Sequence, residues 1–222
     1  MIVEFAARIP AVLHERSGSV FYSGRKAFGS KSPIYVLGVN PGGDPVAKAT
    51  ETVCWHTTKV LEQEADDWSA YRDESWENAK PGTWGMQPRV LHLFDSIGVE
   101  PGTIPASNVV FVRSAREEHI KAHFEELAAL CWPFHEAVIE RLEPRVVVAF
   151  GQTAGGYICR KLGATSLMDE FVESNKRRWK SRTYQNRDGR SVVVLTHPGI
   201  ANWEAPTADA TILVKRALTA GA

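Results

Sequence analysis

The chain has 222 residues, 44% of them hydrophobic, with 26 Lys and Arg set against 26 Asp and Glu. That length suits one domain with a sizeable core, and the charge balance gives no net-charge argument for nucleic acid or membrane as partner. Three scattered cysteines (Cys54, Cys131, Cys159) and no C-x-x-C pair argue against a disulfide framework, a structural zinc or a four-thiolate iron–sulfur cluster within the chain.

In chain order, MIVEFAARIPAVLHERSG (1–18) sets Ile2, Phe5, Ile9, Val12 and Leu13 at helical spacing, predicting an amphipathic helix. Glu4 and Arg8 interrupt the apolar run and no cleavage site follows, so it does not read as a signal peptide. No run approaches the about 18 apolar residues of a membrane span. The expectation is a cytoplasmic protein without membrane contact, with the cysteines as small core residues.

Four β-branched runs follow: PIYVLGV (33–39), NVVFV (108–112), RVVVAF (145–150) and SVVVLT (191–196). Each is apolar at consecutive positions, which suits strands covered on both faces. Helical patterns occupy 87–98, 117–144, 152–163 and 207–219. The alternation predicts an α/β fold, a three-layer αβα sandwich around a short, mainly parallel four-stranded sheet, as a single domain over 1–222.

Two segments stand outside this repeat. Residues 51–77 carry eight acidic side chains against two basic ones, within a Trp-rich insert at about 51–84. Residues 176–190 carry seven basic side chains against one acidic, and Asp188-Gly189 is a hairpin signal that would fold this stretch back onto the fourth strand.

Ligands of open α/β sheets bind beyond the carboxyl ends of the strands. The segments there are GVNPGGDP (38–45), RSARE (113–117), GQTAGG (151–156) and HPGIANW (197–203), which puts Asn40 and His197 on one rim. The G-x-N-P-G loop, the H-P-x loop and VVVAFGQTA, in this order, resemble the signature motifs of the uracil-DNA glycosylase superfamily. The pairing of Asn in the first motif with His in the second is most similar to its single-strand-selective branch; the mismatch-specific branch shares the first motif.

The resemblance implies base excision from DNA: hydrolysis of the N-glycosidic bond of uracil or a related deaminated base, single- or double-stranded, by a monomer needing no cofactor and no metal. Asn40 would position water and His197 would stabilise the departing base. Gly38, Val39, Pro41, Gly42 and Gly43 would form the base-binding loop, with Trp55 stacking on the base or sitting in the core. An amide orients water but is no effective base; donors preorganised toward the leaving anion lower the barrier. Asp44 either assists or caps the start of a following helix. DNA would meet Pro198, Gly199 and Ile200 and the basic side chains Arg178, Lys180 and Arg182, interleaved with Trp179 and Tyr184.

Departures from the family pattern keep other readings open. Ser114 stands where the family has its base-reading Asn at the end of the second strand, and a hydroxyl cannot make an amide's bidentate contact. Gly199 replaces a Ser. Small Ala201 stands in the wedge position, so Ile200 or Trp203 would have to serve. The acidic insert should face away from DNA or form a lid. His119 and His123, on the same long helix as His135, have no third metal ligand nearby, and GQTAGGY is not a complete dinucleotide fingerprint. The alternatives are a non-catalytic binder of a nucleobase or nucleic acid on the same fold, and a protein-interaction module built on the acidic, Trp-rich region.

Overall fold

The structure is a computed structural model that describes residues 1–220. Its sheet comprises β1 (Ile34–Gly38), β2 (Ala106–Asn108), β3 (Val146–Phe150), β4 (Ser166–Val172), β5 (Lys180–Gln185) and β6 (Ser191–Leu195), in the order β2-β1-β3-β6-β5-β4. The first four in that order run parallel, while β5 is antiparallel to both β6 and β4. The sheet is therefore mixed and six-stranded, not four-stranded as the apolar runs suggested.

The two extra strands form one side of the sheet, where Lys180 and Arg182 of β5 lie beside Glu170 of β4. The Asp188-Gly189 turn returns β5 onto β6, with Gln185 opposite Ser191. SLMDEFV (166–172), where no element was expected, forms β4; it is an edge strand with largely accessible side chains, so no continuous apolar run marks it. β2 is also shorter and earlier than its apolar run. Pairing with β1 ends at Asn108, and Val109–Val112 are apolar because they continue through the core beside the β1 exit.

The central strands alternate between two cores, as a period of two requires. Tyr35, Leu37, Val147 and Val192 face α1 (Ile2–Ala6), α6 (Phe124–Leu142) and α7 (Gln152–Leu162). Ile34, Val36, Val148 and Val193 face α4 (Gln87–Ser96) and α8 (Ile212–Thr219). The remaining helices are α2 (Val53–Glu62), α3 (Ala70–Asp73) and α5 (Glu117–Ile120). Among the described residues no helix is long and apolar enough to cross a membrane.

Three local expectations need correction. The N-terminal helix stops before Pro10, which lacks an amide donor, and resumes as a 3-10 turn at Ala11–Leu13. That phase break buries Ile2, Phe5, Ile9 and Leu13 but turns Val12 outward. His119 lies in α5 and His123 in a separate 3-10 turn, both exposed, whereas His135 is buried in α6. Cys131 is buried and Cys159 partly so, but Cys54 is exposed on α2.

His135 ties α6 to the sheet. Its Nε2 lies 3.3 Å from the Val109 carbonyl and its Nδ1 2.9 Å from the Tyr35 hydroxyl. A carbonyl only accepts, so Nε2 carries the proton and Nδ1 accepts from Tyr35. Burial pushes this imidazole's pKa down to about 3, which keeps it neutral.

Candidate functional site

The loop after β1 is held by side chains from the segment after β2. Asn40 Nδ2 donates to the carbonyls of Pro41 (2.9 Å) and Val112 (3.2 Å) and to Ser114 Oγ (2.9 Å). Because carbonyls only accept, these bonds fix which end of the amide is which. Oδ1 is left without a protein partner among the described residues. Ser114 passes the chain on to the Arg116 carbonyl at 2.9 Å. Asp44 turns away: its Oδ1 accepts from the Val46 amide at 2.8 Å, capping the turn.

Arg113 staples the same loop from the side. Its guanidinium donates to the Gly42 carbonyl (2.5 Å), Ser17 Oγ (3.2 Å) and Glu51 Oε2 (3.1 Å). An Arg113→Met variant should lose about 2 kcal/mol, between the values for exposed and buried ion pairs. The check is the urea midpoint at constant slope; an unshifted midpoint would mean the loop holds its shape without the staple.

His197 follows β6 and meets the loop from across the sheet. Its Nδ1 accepts from the Gly199 amide at 2.9 Å. Burial lowers its pKa, opposed by the nearby Glu117 carboxylate. The ring is thus neutral at pH 7 with its proton on Nε2, the nitrogen free to donate. The rest of this loop is pinned: Arg89 donates to the Pro198 carbonyl, Arg177 to that of Ile200 at 2.8 Å, and Trp203 Nε1 to that of Thr196 at 3.2 Å.

β3 separates β1 from β6, so Asn40 and His197 project from strands two spacings, or about 10 Å, apart. The residue at the end of β3 is Gly151, with φ +91°, lying directly against His197. A φ in that range is one that glycine adopts freely, so β3 turns into α7 within the gap between the two motifs.

That gap opens into a cavity of about 560 Å³ lined by Gly38, Asn40, Gly42, Gly43, Asn108 and His197 on the sheet side. Neither the Gly42 nor the Gly43 amide has a partner among the described residues. Val39 and Pro41 are buried behind the loop and shape it without lining the cavity. Asn108 was missed in the sequence. It ends β2, is only 6% exposed and has its Nδ2 buried without a hydrogen bond of good geometry. A Cβ at position 38 would collide with its Oδ1, so Gly38 is what admits the amide. Ser114, expected at this strand end, instead faces a separate hollow with Arg16, His119 and His123.

The insert forms the opposite wall. Thr52 caps α2 by accepting from the Trp55 amide at 3.1 Å, which sets Trp55 and His56 at the cavity. Trp55 is 47% exposed and therefore not a core residue. Trp68, Tyr71, Trp76 and Trp84 continue the wall. Most of its carboxylates are paired, Glu64 (2.9 Å) and Glu74 (3.8 Å) with Lys59 and Asp73 (2.7 Å) with Arg72 inside the insert, and Asp66 (2.5 Å) and Glu51 (3.1 Å) with Arg25 and Arg113 from outside it, so the insert stays net acidic.

Around the His197 loop, Ile200 is exposed at the tip while Ala201 and Trp203 are fully buried, so of the two apolar alternatives only Ile200 reaches solvent. Trp203 packs edge-on against Phe150 in the core. The basic stretch is partly neutralised. Lys180 and Arg182 both pair with Glu170, at 3.0 and 2.8 Å, and Arg177 lies over Trp179. Arg178, at φ 55°, is exposed and has no ion pair among the described residues.

No protein-family description matches this chain, and neither does any curated protein.

Proposed function

We propose that the chain is a uracil-DNA-glycosylase-like enzyme that takes a base flipped out of DNA and hydrolyses its N-glycosidic bond. One observation carries the reading: Asn40, Asn108 and His197, from the ends of three parallel strands, line a single cavity. Its floor holds an amide, that of Asn108, whose Nδ2 has no hydrogen bond of good geometry and is suited to reading a base edge. The Oδ1 of Asn40 orients a water toward the sugar carbon. That carbon gains the water oxygen as the C–N bond breaks, the bonding pair leaves with the base, the proton released from the added water passes to solvent, and the base anion takes one up from solvent. His197 Nε2–H donates to the departing anion, a preorganised contact that strengthens as charge develops. Trp55 supplies a face for stacking, and the amides of Gly42 and Gly43 are free to meet carbonyls of the base.

The test is release of abasic sites from end-labelled oligonucleotides carrying uracil, hypoxanthine, xanthine or thymine, single-stranded and opposite each base. Release lost in Asn40→Ala supports the reading; undiminished release from that variant overturns it. The same fold binding a base without cutting was favoured in the sequence by Ser114 and by the changed second motif; Ser114 lies outside the cavity and Asn108 inside it, while Gly199 and Ala201 of the second motif still favour that alternative.

Ile200 is the exposed apolar side chain at the tip of the His197 loop. As a wedge it would offset part of the few kcal/mol of unstacking. Ile200→Gly is therefore expected to slow excision from duplex about tenfold while changing single-stranded excision little. Equal losses on both would deny it that role.

A further inference from the structure

Two polar atoms of the cavity's lining side chains are buried without a hydrogen bond of good geometry: Asn108 Nδ2 on the sheet side, near the Tyr22 hydroxyl, and His56 Nδ1 on the insert side. Proteins leave few such groups, so two in one cavity mark where a ligand's polar atoms belong. Both side chains are only 6% exposed. His56 is neutral, its pKa held near 3 by burial, with the Lys59 and Arg113 cations adding to the effect. A neutral imidazole offers one donor and one acceptor. It is fixed by the α2 cap at Thr52 and flanked by the Trp68 ring at 6.4 Å.

The cavity is also large. Its 560 Å³ would hold about twenty waters at liquid density. A single-ring base read by Asn108 displaces only a handful of them. The remaining space lies along the insert, where Trp68, Tyr71 and Trp76 offer ring faces among the carboxylates of Glu64, Asp73 and Glu74.

We propose that the preferred ligand is a two-ring base with a lactam edge, the class that deamination of a purine produces, recognised by Asn108 on one side and His56 on the other. A lactam carries an N–H and a C=O side by side, so it satisfies the neutral imidazole in either tautomer. His56 is then a specificity-determining residue contributed by the insert. This assignment rests on the base-binding reading given above and narrows its substrate.

The experiment compares kcat/KM for hypoxanthine- and xanthine-containing oligonucleotides with that for uracil, in wild type, His56→Leu and His56→Gln. Binding of free hypoxanthine and free uracil is followed in parallel by tryptophan fluorescence. A two-ring preference of about tenfold or more is expected, falling at least tenfold in His56→Leu and partly restored in His56→Gln, which keeps a donor and an acceptor. Thermal unfolding of each variant shows that it is folded. Excision that favours uracil, or a preference that does not respond to His56, overturns the proposal and leaves the glycosylase reading intact. If no base is released but free hypoxanthine binds more tightly than uracil in a His56-dependent manner, the catalytic reading falls and this one stands. Absence of both release and binding overturns both.

Discussion

Under the proposed glycosylase chemistry, His197→Ala is expected to lower kcat for base excision about a hundredfold to a thousandfold, the loss typical of removing one donor aimed at a developing anion. KM should move little, because the contact strengthens only as charge appears on the leaving base. The geometry favours this residue as the cleanest probe. Its Nδ1 is already occupied by the Gly199 amide, so Nε2–H is the only group the ring can offer. Asn40→Ala should be comparably slow, but it also removes the bonds to Pro41, Val112 and Ser114 and so disturbs the loop. A His197→Ala enzyme within about threefold of wild type under single-turnover conditions would remove the leaving-group contact from the mechanism. Protonation of His197 would cost its bond from Gly199, so wild-type activity should be level near neutrality. It should fall on the acid side only below the ordinary histidine range of about 6.5, because burial lowers this pKa.

The second large effect is on stability in acid. His56 and His135 are both neutral in the folded protein with pKa values near 3, against about 6.5 unfolded. Between those values the unfolded chain binds more protons than the folded one, so stability falls as pH falls through that window and is independent of these groups above it. A difference of about 3.5 units corresponds to on the order of 5 kcal/mol for each ring at the acid limit. Two such terms rival the whole stability of an ordinary domain. Denaturant midpoints measured from pH 7 down to pH 4 should therefore drop steeply, with a slope approaching two protons. In His135→Gln, whose amide can still serve the Val109 carbonyl, the slope should approach one. A flat midpoint from pH 7 to pH 4.5 would show that neither ring is held neutral.

The parallel half of the sheet was legible because its strands are buried on both faces and read as unbroken apolar runs. The rim motifs followed from that, since Asn40 and His197 stand at ends of such runs. Asn108 was hidden by the same rule: it opens the run NVVFV, so it was taken as the start of a strand that in fact ends there. Ser114 was consequently placed at a strand end six residues too late. The β4 edge strand carries no apolar signal because it has solvent on its exposed side. The insert's net acidity, read alone, left it either facing away from DNA or forming a lid. Lys59 and Arg72 already count in that balance, and only folding shows that Arg25 and Arg113, from outside the insert, offset part of what remains.

Arg25 carries a consequence for kinetics. Its guanidinium reaches the carbonyls of Val60, Leu61 and Glu64 as well as Asp66, while backbone bridges Ser17–Thr52 and Ser23–Ser69 anchor both ends of the same wall. A wall tied at that many points needs no closing motion, so little ordering entropy remains to be lost when a ligand arrives. Under the proposed chemistry, what then differs between substrates is the work of drawing a base out of its stack. Encounter rates should accordingly track how loosely a base is held in its strand, more than any rearrangement of the protein.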